Sequence, residues 1–333
     1  MTHPAVLVTG GAGFIGSNIV AALARDRSLD VVVCDRLGDS STGKWRNLAK
    51  HPIADLVAPE DLWAWLAAHG GPLEAVIHMG AVSSTIEPDA DKVLAANFGL
   101  SRDLFRWCAD RQRRFIYASS AAVYGDGSLG FDDAEDLEHL AGLRPLNVYG
   151  WSKALFDVFV ARQAARGRAP PRWAGLKLFN VYGPNEEHKG VMRSVASQIW
   201  PGVAAGRGVR LFRSLHPDYP DGGQMRDFVY VRDVAEVVAW LVGEGTVNGI
   251  FNLGSGEART FNDLAEAVFK AAGRALRIEY IDVPEALRDN YQYFTKAPMD
   301  RLRQAGWKGA ITRLEDGVAD YVGNYLSRPD PYR

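Results

Sequence analysis

Hydrophobic residues in the first half of the chain form short apolar runs, which are separated by stretches of helical spacing. Val, Ile and Ala dominate the runs, as is typical of strands that are buried on both faces. Strands are predicted at residues 5–8, 31–34, 52–55, 73–78, 115–119 and 174–179. Helices are predicted between them at residues 14–24, 61–68, 92–109 and 147–162. This alternation predicts an α/β fold with a doubly wound parallel sheet.

The pattern changes after residue 180, where polar segments and shorter elements replace the regular alternation. A polar loop is predicted over 181–190, and 215–224, dense in Pro, Gly and Asp, is predicted to be an exposed loop. Further helices are predicted at 191–204, 234–243 and 261–272, and further strands at 210–212, 227–230 and 250–253. We expect one domain over 1–180, with a return of the chain near 228–253, and a smaller α/β domain over 181–333.

Three glycines follow the first predicted strand at intervals of three residues. Gly10 permits a tight turn, Gly13 leaves room for a pyrophosphate, and Gly16 lets the next helix pack close to the strand. The free N–H groups at the start of that helix then point at the phosphates. Asp35 follows the second strand, 19 residues after Gly16. Together these features predict an NAD(P)-binding domain of the Rossmann type, and the second domain is left to supply the substrate site.

The composition of the chain indicates which kinds of binding partner and which cellular compartment are expected. The chain has 333 residues, is 47% hydrophobic and carries a formal net charge of -2, so neither nucleic acid nor an anionic membrane is expected to bind it. Cys34 and Cys108 are predicted to be buried free thiols, which fits a reducing compartment. Neither a signal-peptide pattern nor a membrane-length apolar run is found in the sequence, so a cytoplasmic location is expected. No metal site is predicted.

Tyr149 and Lys153 are four residues apart on a predicted helix and therefore share one face. A tyrosine has a pKa of about 10, so a base near neutral pH requires about 4 kcal/mol of stabilisation of the phenolate. The Lys153 ammonium and a cationic nicotinamide would supply it, because opposite charges favour the phenolate. Ser120, just past the fifth strand, is placed to hold the reacting oxygen beside Tyr149, with a loop-capping role as the alternative. We predict general acid–base catalysis by these residues.

Longer motifs surround these residues, at 117–125, 145–150, 179–190, 226–231 and 291–295. With them, the chain from about residue 5 to 325 resembles the extended short-chain dehydrogenases/reductases of the NAD-dependent epimerase/dehydratase family. The ending His188-Lys189-Gly190 and the segment 291–295 are more narrowly similar to the ADP-heptose 6-epimerase family. This resemblance implies an isomerase that interconverts ADP-D-glycero- and ADP-L-glycero-β-D-manno-heptose for the lipopolysaccharide core. A hydride would leave C6 for the bound nicotinamide and return to the other face, without net redox change.

The resemblance also implies roles for single residues. Lys189 matches the second proton-transferring base, whereas its residue type alone favours a solvated loop lysine. The residues implied in catalysis are Tyr149, Lys153, Lys189 and Ser120. Those implied in cofactor binding are Gly10, Gly13, Phe14, Ile15, Gly16, Asp35, Arg36, Lys44, Met79, Gly80, Ala81, Val82, Ser83, Asn97, Lys153, Val181 and Lys189. Those implied in substrate binding are Ser83, Ser120, Asn180, Val191, Gln198, Phe212, Ser214, Arg226 and Tyr291.

The residues after the second strand bear on the choice between NAD and NADP. Asp35 favours the ribose 2′-hydroxyl of NAD, whereas Arg36 suits the 2′-phosphate of NADP. Lys44 follows in a Gly- and Ser-rich loop expected at the adenosine end of the cofactor. The resemblance implies NADP, with NAD as the alternative. It also implies a homo-oligomer, since the family forms homopentamers.

Arg226 matches a phosphate-binding arginine, because a guanidinium fork suits a nucleotide diphosphate. Its alternative is a surface ion pair with Asp227 or Asp233. The segment 215–224 is longer than is usual in the family, and Asn185 stands where an arginine is usual.

Two other functions remain as alternatives. One is a different nucleotide-sugar enzyme of the same superfamily, such as a UDP-hexose 4-epimerase. A 4,6-dehydratase is less favoured, because Ser120-Ala121-Ala122 provides no acid where dehydratases carry one. The other alternative is a non-catalytic redox sensor, but such proteins usually lack the Tyr and Lys pair that this chain has.

Overall fold

The computed structural model describes residues 3–285 and 292–333 of the chain. The strands are β1 (Ala5–Thr9), β2 (Asp30–Cys34), β3 (Asp55–Val57), β4 (Leu73–His78), β5 (Arg114–Ser120), β6 (Trp173–Leu178), β7 (Asn180–Tyr182), β8 (Val209–Phe212), β9 (Met225–Tyr230), β10 (Gly249–Leu253), β11 (Ala258–Thr260) and β12 (Ile278–Ile281). The α-helices with described bounds are α1 (Phe14–Leu23), α2 (Leu62–His69), α3 (Ala90–Leu94), α4 (Leu100–Asp110), α5 (Leu137–Gly142), α6 (Val148–Ala165), α7 (Val195–Ala204), α8 (Val231–Gly243), α9 (Phe261–Ala271), α10 (Asp300–Gln304) and α11 (Leu314–Tyr321).

Seven of the described strands form one parallel sheet in the order β10-β6-β5-β4-β1-β2-β3. Helices α1 and α8 pack on one face through residues such as Ile19 and Val234. Helices α2, α4 and α6 pack on the other through residues such as Leu62, Phe105 and Phe156. The predicted doubly wound α/β fold is confirmed. The strand order reverses between β1 and β4, which is where ligands bind in such sheets.

A smaller part of the fold is built around two short sheets, β11-β9-β7 and β12-β8. Strand β7 follows β6 after the single residue Phe179, so the chain passes directly from the main sheet into the second one. The prediction of a loop beginning at Val181 is therefore wrong at its start, because Val181 pairs with Val229 of β9. The proposed division into a cofactor domain and a substrate domain stays a prediction.

Two predicted elements are displaced along the chain. The third strand runs over Asp55–Val57 rather than 52–55, because Val57 pairs with Cys34 and is buried, whereas Pro52 has no N–H for a ladder. The helix predicted from residue 191 begins at Val195, because the Ser194 side chain caps it by accepting a hydrogen bond from the Ser197 N–H.

Two other predictions are refined by the packing. A π-helical turn over 95–99 interrupts the predicted helix 92–109, as is frequent near functional sites. The 215–224 segment is exposed over much of its length, but Gln224 is buried and donates to the carbonyls of Phe212 and Arg213. Cys34 and Cys108 are buried and free, as predicted. Among the described residues, every helix is too short or too polar to cross a membrane.

Candidate active site

A cleft of about 660 Å³ opens where β1, β2, β4, β5 and β6 end. Nineteen of the predicted residues line it together. They are Gly10, Gly13, Phe14, Ile15, Gly16, Asp35, Arg36, Lys44, Met79, Gly80, Ala81, Val82, Ser83, Ser120, Tyr149, Lys153, Asn180, Val181 and Lys189. Residues far apart in the sequence therefore converge on one surface at the carboxyl edge of the parallel sheet.

The glycine turn after β1 leaves no room for side chains. Gly10 has a φ of +66°, and a Cβ there would lie 2.6 Å from the Gly80 nitrogen. A Cβ on Gly16 would lie 2.1 Å from the Gly10 carbonyl oxygen. Gly13 is the N-cap of α1 and provides no capping side chain, so the first-turn N–H groups are free to receive an anion. This cradle fits the pyrophosphate of a nicotinamide dinucleotide.

Both carboxylate oxygens of Asp35 are engaged. Oδ2 accepts a hydrogen bond from the Ala12 N–H at 3.0 Å. Oδ1 forms an ion pair with Lys44 Nζ at 2.7 Å, and Lys44 also donates to the Arg36 carbonyl oxygen. The Arg36 guanidinium is mostly exposed and lies 3.1 Å from Glu60. Two cations, Lys44 and Arg36, therefore lie at this end of the cleft, and they pair with Asp35 and Glu60 respectively.

Helix α6 brings Tyr149 and Lys153 to the cleft. Asn147 caps the helix by accepting from the Gly150 N–H at 2.9 Å. A Cβ on Gly150 would lie 2.7 Å from the Ala122 carbonyl oxygen. Because residue 150 is a glycine, α6 packs close to the turn that follows β5. Tyr149 thereby lies near Ser120, and their side chains form a hydrogen bond.

Burial is the main cause of the pKa shifts of Tyr149 and Lys153 on this face of α6. Burial raises the pKa of Tyr149, and the hydrogen bond with Ser120 opposes the rise. Burial lowers the pKa of Lys153 to about 8, and Asp157 opposes that fall. Lys153 Nζ donates to the Ala118 carbonyl oxygen at 2.8 Å. Tyr149 is therefore a protonated phenol near neutral pH, and its ionisation needs a nearby positive charge.

Lys189 reaches the same cleft from a different segment, the 3-10 turn Glu187–Met192. Its Nζ lies 4.9 Å from the centroid of the Phe14 ring. Burial lowers the pKa of Lys189, and the nearby Glu186 opposes this effect. Glu186 is fully buried and accepts hydrogen bonds from the Ser194 N–H, the Ser194 hydroxyl and the Tyr321 hydroxyl. Lys189 is therefore a half-buried residue of the cleft and not a solvated loop lysine.

Several predicted contacts lie outside the lining of the cleft, among the residues that the structure describes. They are Asn97, Val191, Gln198, Phe212, Ser214 and Arg226. Asn97 holds the Val82 backbone from behind, with Oδ1 accepting from its N–H and Nδ2 donating to its carbonyl. Gln198 donates to the carbonyls of Val191 and Arg193, so it supports the turn beside the cleft. Tyr291 lies outside the described residues.

Arg226 and Ser214, which were predicted to contact the substrate, make hydrogen bonds within the protein outside the lining of the cleft. Arg226 is only 8% exposed, stacks on the Phe261 ring and donates to the carbonyls of Met225 and Gln292. The alternative of a surface ion pair is therefore wrong, because the guanidinium is buried. Ser214 donates from its N–H to Asp221 and from its hydroxyl to the His216 carbonyl. These bonds belong to the long loop, whose course the spacing of residues does not predict.

The cleft also contains residues that sequence reasoning passed over, among them Ser119, His188, Phe228 and Phe261. His188 precedes Lys189, and burial together with Lys44 and Lys189 lowers the His188 pKa to about 4. Its Nδ1 lies 3.2 Å from Asn47 Nδ2. The position of Ser119 in the sequence could have revealed it, because it is the penultimate residue of β5 and directly precedes the predicted Ser120.

The profile of the NAD dependent epimerase/dehydratase family matches residues 6–254. The chain belongs to this family. An ADP-L-glycero-D-manno-heptose-6-epimerase from Nitratidesulfovibrio vulgaris is 51% identical over 98% of this chain and 99% of that protein. The solved structure of an ADP-L-glycero-D-manno-heptose-6-epimerase from Helicobacter pylori is 28% identical, with a TM-score of 0.78 over 97% of this chain and 96% of that one. The Thermus thermophilus UDP-glucose 4-epimerase in complex with NAD is 29% identical, with a TM-score of 0.72 over 95% and 96%.

Proposed function

We propose that the chain is an isomerase that interconverts ADP-D-glycero-β-D-manno-heptose and ADP-L-glycero-β-D-manno-heptose for the lipopolysaccharide core. The observation that carries this proposal is the 51% identity, along essentially the full length of both chains, with a relative of that name. The site supports it chemically, because Tyr149 and Lys189 line one cleft from separate segments. Two proton-transferring groups allow one to act in the oxidation of the hydroxyl and the other in the reduction of the transient ketone.

Each residue of the site has a task in this reaction. Tyr149 holds or accepts the proton of the reacting hydroxyl, and Ser120 orients that oxygen through its own hydroxyl. Lys153 provides the positive charge that favours the Tyr149 phenolate. Lys189 holds a proton for the product of inversion, and burial lowers its pKa from the ordinary value of a lysine, which makes it a better proton donor. A nicotinamide dinucleotide bound at the glycine turn supplies hydride transfer.

NADP is the proposed dinucleotide. The ion pair with Lys44 offsets the charge of Asp35, so a 2′-phosphate would meet less repulsion there. Arg36 and Lys44 are the donors that would bind such a phosphate. The test is the mass of the nucleotide released from the purified protein, together with its Kd for NADP and for NAD. Tighter binding of NAD than of NADP would contradict this assignment.

The activity is tested by a proton NMR time course. Protein as isolated is mixed with ADP-D-glycero-β-D-manno-heptose, without added cofactor, and conversion to the L-glycero isomer is expected. An absence of conversion after adding NADP or NAD would rule out the proposed substrate. UDP-hexoses are tested on the same sample, and 4-epimerisation of one of them would identify the alternative enzyme.

A homo-oligomer is proposed from the resemblance, and its mass in solution is measured by light scattering.

A further inference from the structure

Four buried charged side chains surround the inner end of the Tyr149 and Lys153 face of α6. Lys153 and Asp133 are 3% exposed, and Asp157 and Lys177 are fully buried. Lys153 and Asp157 are one turn apart on α6, and Lys177 lies on β6 opposite Ser119 of β5. Because an isolated buried ion costs several kcal/mol, such groups are retained only with partners of opposite charge. The cluster contains two cations and two anions.

Asp157 lies at the centre of this cluster. Its Oδ1 accepts a hydrogen bond from the Tyr117 hydroxyl at 2.9 Å, and its Oδ2 accepts one from the Ser119 hydroxyl at 2.7 Å. Both donors are neutral. Burial raises the pKa of Asp157, and the positive charges of Lys177 and Lys153 oppose that rise together with these hydrogen bonds. Ser119 and Lys153 themselves line the cleft. Asp157 is therefore adjacent to the floor of the cleft without being part of it.

Lys177 is the second cation of the cluster. Among residues 3–285 and 292–333, its Nζ has no hydrogen-bond partner, and it lies 4.6 Å from the centroid of the Tyr124 ring. Its favourable charge interactions are with Asp157 first and Asp133 second. Asp133 is in turn tied to β10, because its Oδ2 accepts from the Asn252 N–H at 2.7 Å. The ammonium of Lys177 therefore stabilises Asp157 mainly by charge.

We propose that Asp157 is a positioning residue that keeps Lys153 as an ammonium at the floor of the cleft, with Lys177 as its counter-cation. The inference rests on the proposed function, which gives that ammonium its task. The only hydrogen-bond acceptor seen for Lys153 Nζ among the described residues is the neutral Ala118 carbonyl. Burial favours the neutral amine, and Asp157 is the group that opposes it.

Other titratable groups face this cluster from each packed element. His78 of β4 is one of these groups. It is buried and neutral, because burial and Lys153 lower its pKa to about 3. The remaining groups are Tyr149 on α6, Tyr117 on β5, Tyr124 after β5, Asp132 and Glu135 in the loop before α5, and Arg301 on α10. Asp157 is the one anion that acts on Lys153 among the described residues.

The test measures the titration of Lys153 directly. Protein labelled with carbon-13 at the lysine Cε is titrated by NMR, and the Lys153→Met spectrum assigns the signal. Asp157→Asn is expected to lower the Lys153 pKa by about one unit, as expected for loss of a close opposite charge. Asp133→Asn is the matched control, because it removes another buried carboxylate that interacts with Lys177. In this variant the Lys153 titration should stay within a few tenths of a unit.

The same variants are compared by the pH profile of kcat. The Asp157→Asn profile should lose activity at high pH about one unit earlier than the wild type, since the Lys153 ammonium is lost sooner. An unchanged Lys153 titration with a lower unfolding temperature would show that Asp157 is only structural and overturn the proposal. Inactive wild-type protein with a shifted Lys153 titration in Asp157→Asn would refute the proposed function but not this inference.

Lys177 offers a second test if Asp157→Asn does not fold. Lys177→Arg retains the cation and should leave the Lys153 titration unchanged. Lys177→Met removes it, so the Asp157 carboxyl takes up a proton more readily and the Lys153 pKa falls. Equal Lys153 titrations in the two variants would overturn the role of Lys177 as the counter-cation.

Discussion

Tyr149 and Lys189 line one cleft, but the structure supports them in different ways. Tyr149 lies near the start of α6, a helix of 18 residues with an Asn147 cap and a close contact at Gly150. Lys189 lies in the six-residue 3-10 segment Glu187–Met192, which is kinked at Gly190, whose φ is 56°. Buried Glu186 holds that turn through Ser194 and Tyr321. A regular helix fixes one proton-transferring group, whereas a single buried carboxylate fixes the other.

Burial acts on both groups in the direction of their neutral forms. It raises the pKa of Tyr149 and lowers the pKa of Lys189. In each case a specific neighbour opposes burial, Ser120 for Tyr149 and Glu186 for Lys189. The partners therefore act in different senses: Ser120 brings the pKa of the phenol down toward neutral pH, whereas at Lys189 burial lowers the pKa and Glu186 favours the ammonium.

The largest effect is expected from Tyr149→Phe. Removing the hydroxyl removes a general acid–base group, so kcat should fall by about 10³-fold. The unfolding temperature and the amount of bound dinucleotide should stay as in the wild type, because the ring and α6 are retained. Activity within tenfold of the wild type would contradict the assignment of Tyr149.

Lys189→Met tests whether the second group is equally necessary. Methionine retains packing against Phe14 but carries no proton, and kcat for the heptose substrate should fall by about 10²-fold. Lys50→Met, at an exposed lysine that pairs with Asp330, is the matched control and should leave kcat unchanged. A small loss in Lys189→Met would favour a single-base enzyme such as a UDP-hexose 4-epimerase.

Lys44→Ala tests the cofactor end of the cleft. Loss of a charge-assisted contact is worth about 1.5 kcal/mol, so the Kd for NADP should rise roughly tenfold while that for NAD changes little. Isothermal titration of protein freed of its nucleotide measures both constants. An equal rise for both dinucleotides would refute recognition of the 2′-phosphate by Lys44.

Glu186→Gln should give the smallest effect, a change in how the free energy of unfolding depends on pH. It tests the buried carboxylate that supports the turn of Lys189. Burial raises the pKa of Glu186 above 4.5. Its carboxyl therefore favours the folded state below the unfolded pKa, and this contribution is lost as pH rises through the folded pKa. Between pH 4 and 8 the wild type should lose about 1 kcal/mol of unfolding free energy relative to Glu186→Gln. Parallel stability curves from denaturant titrations at each pH would contradict this.

The dinucleotide end of the cleft was predictable because its determinants are local. Gly10, Gly13 and Gly16 act through backbone geometry within one turn, and their spacing is visible in the sequence. The pair Tyr149 and Lys153 is likewise local, since a helix places residues four apart on one face. The third strand was placed incorrectly because the partner strand β2, and not the local apolar run, selects Asp55–Val57.

The substrate end was less predictable because its contacts join distant segments. Phosphate binding by Arg226 stays a prediction, and its stacking on Phe261 and its bond to Gln292 depend on how three segments meet. Contact of Asn97 with the cofactor stays a prediction, and its hydrogen bonds to Val82 are made from a π-helical turn that the periodicity did not reveal. Lys189 was predicted to be functional only from the family resemblance. Its partial burial beside Glu186 and Phe14 is a feature of the tertiary structure.

By itself, the sequence determined the alternation of strands and helices, the glycine cradle and the shared face of Tyr149 and Lys153. These depend on interactions within a few residues of the chain, which leave a periodic pattern. Only the tertiary structure decided which titratable groups are buried together, namely Lys189 with Glu186, and Lys153 with Asp157 and Lys177. Lys153 and Asp157 are one turn apart on α6, and Glu186 is three residues before Lys189, so these pairs are close in the sequence. Their burial, and the approach of Lys177 from β6, depend on which distant segments pack over them, and no local pattern records that.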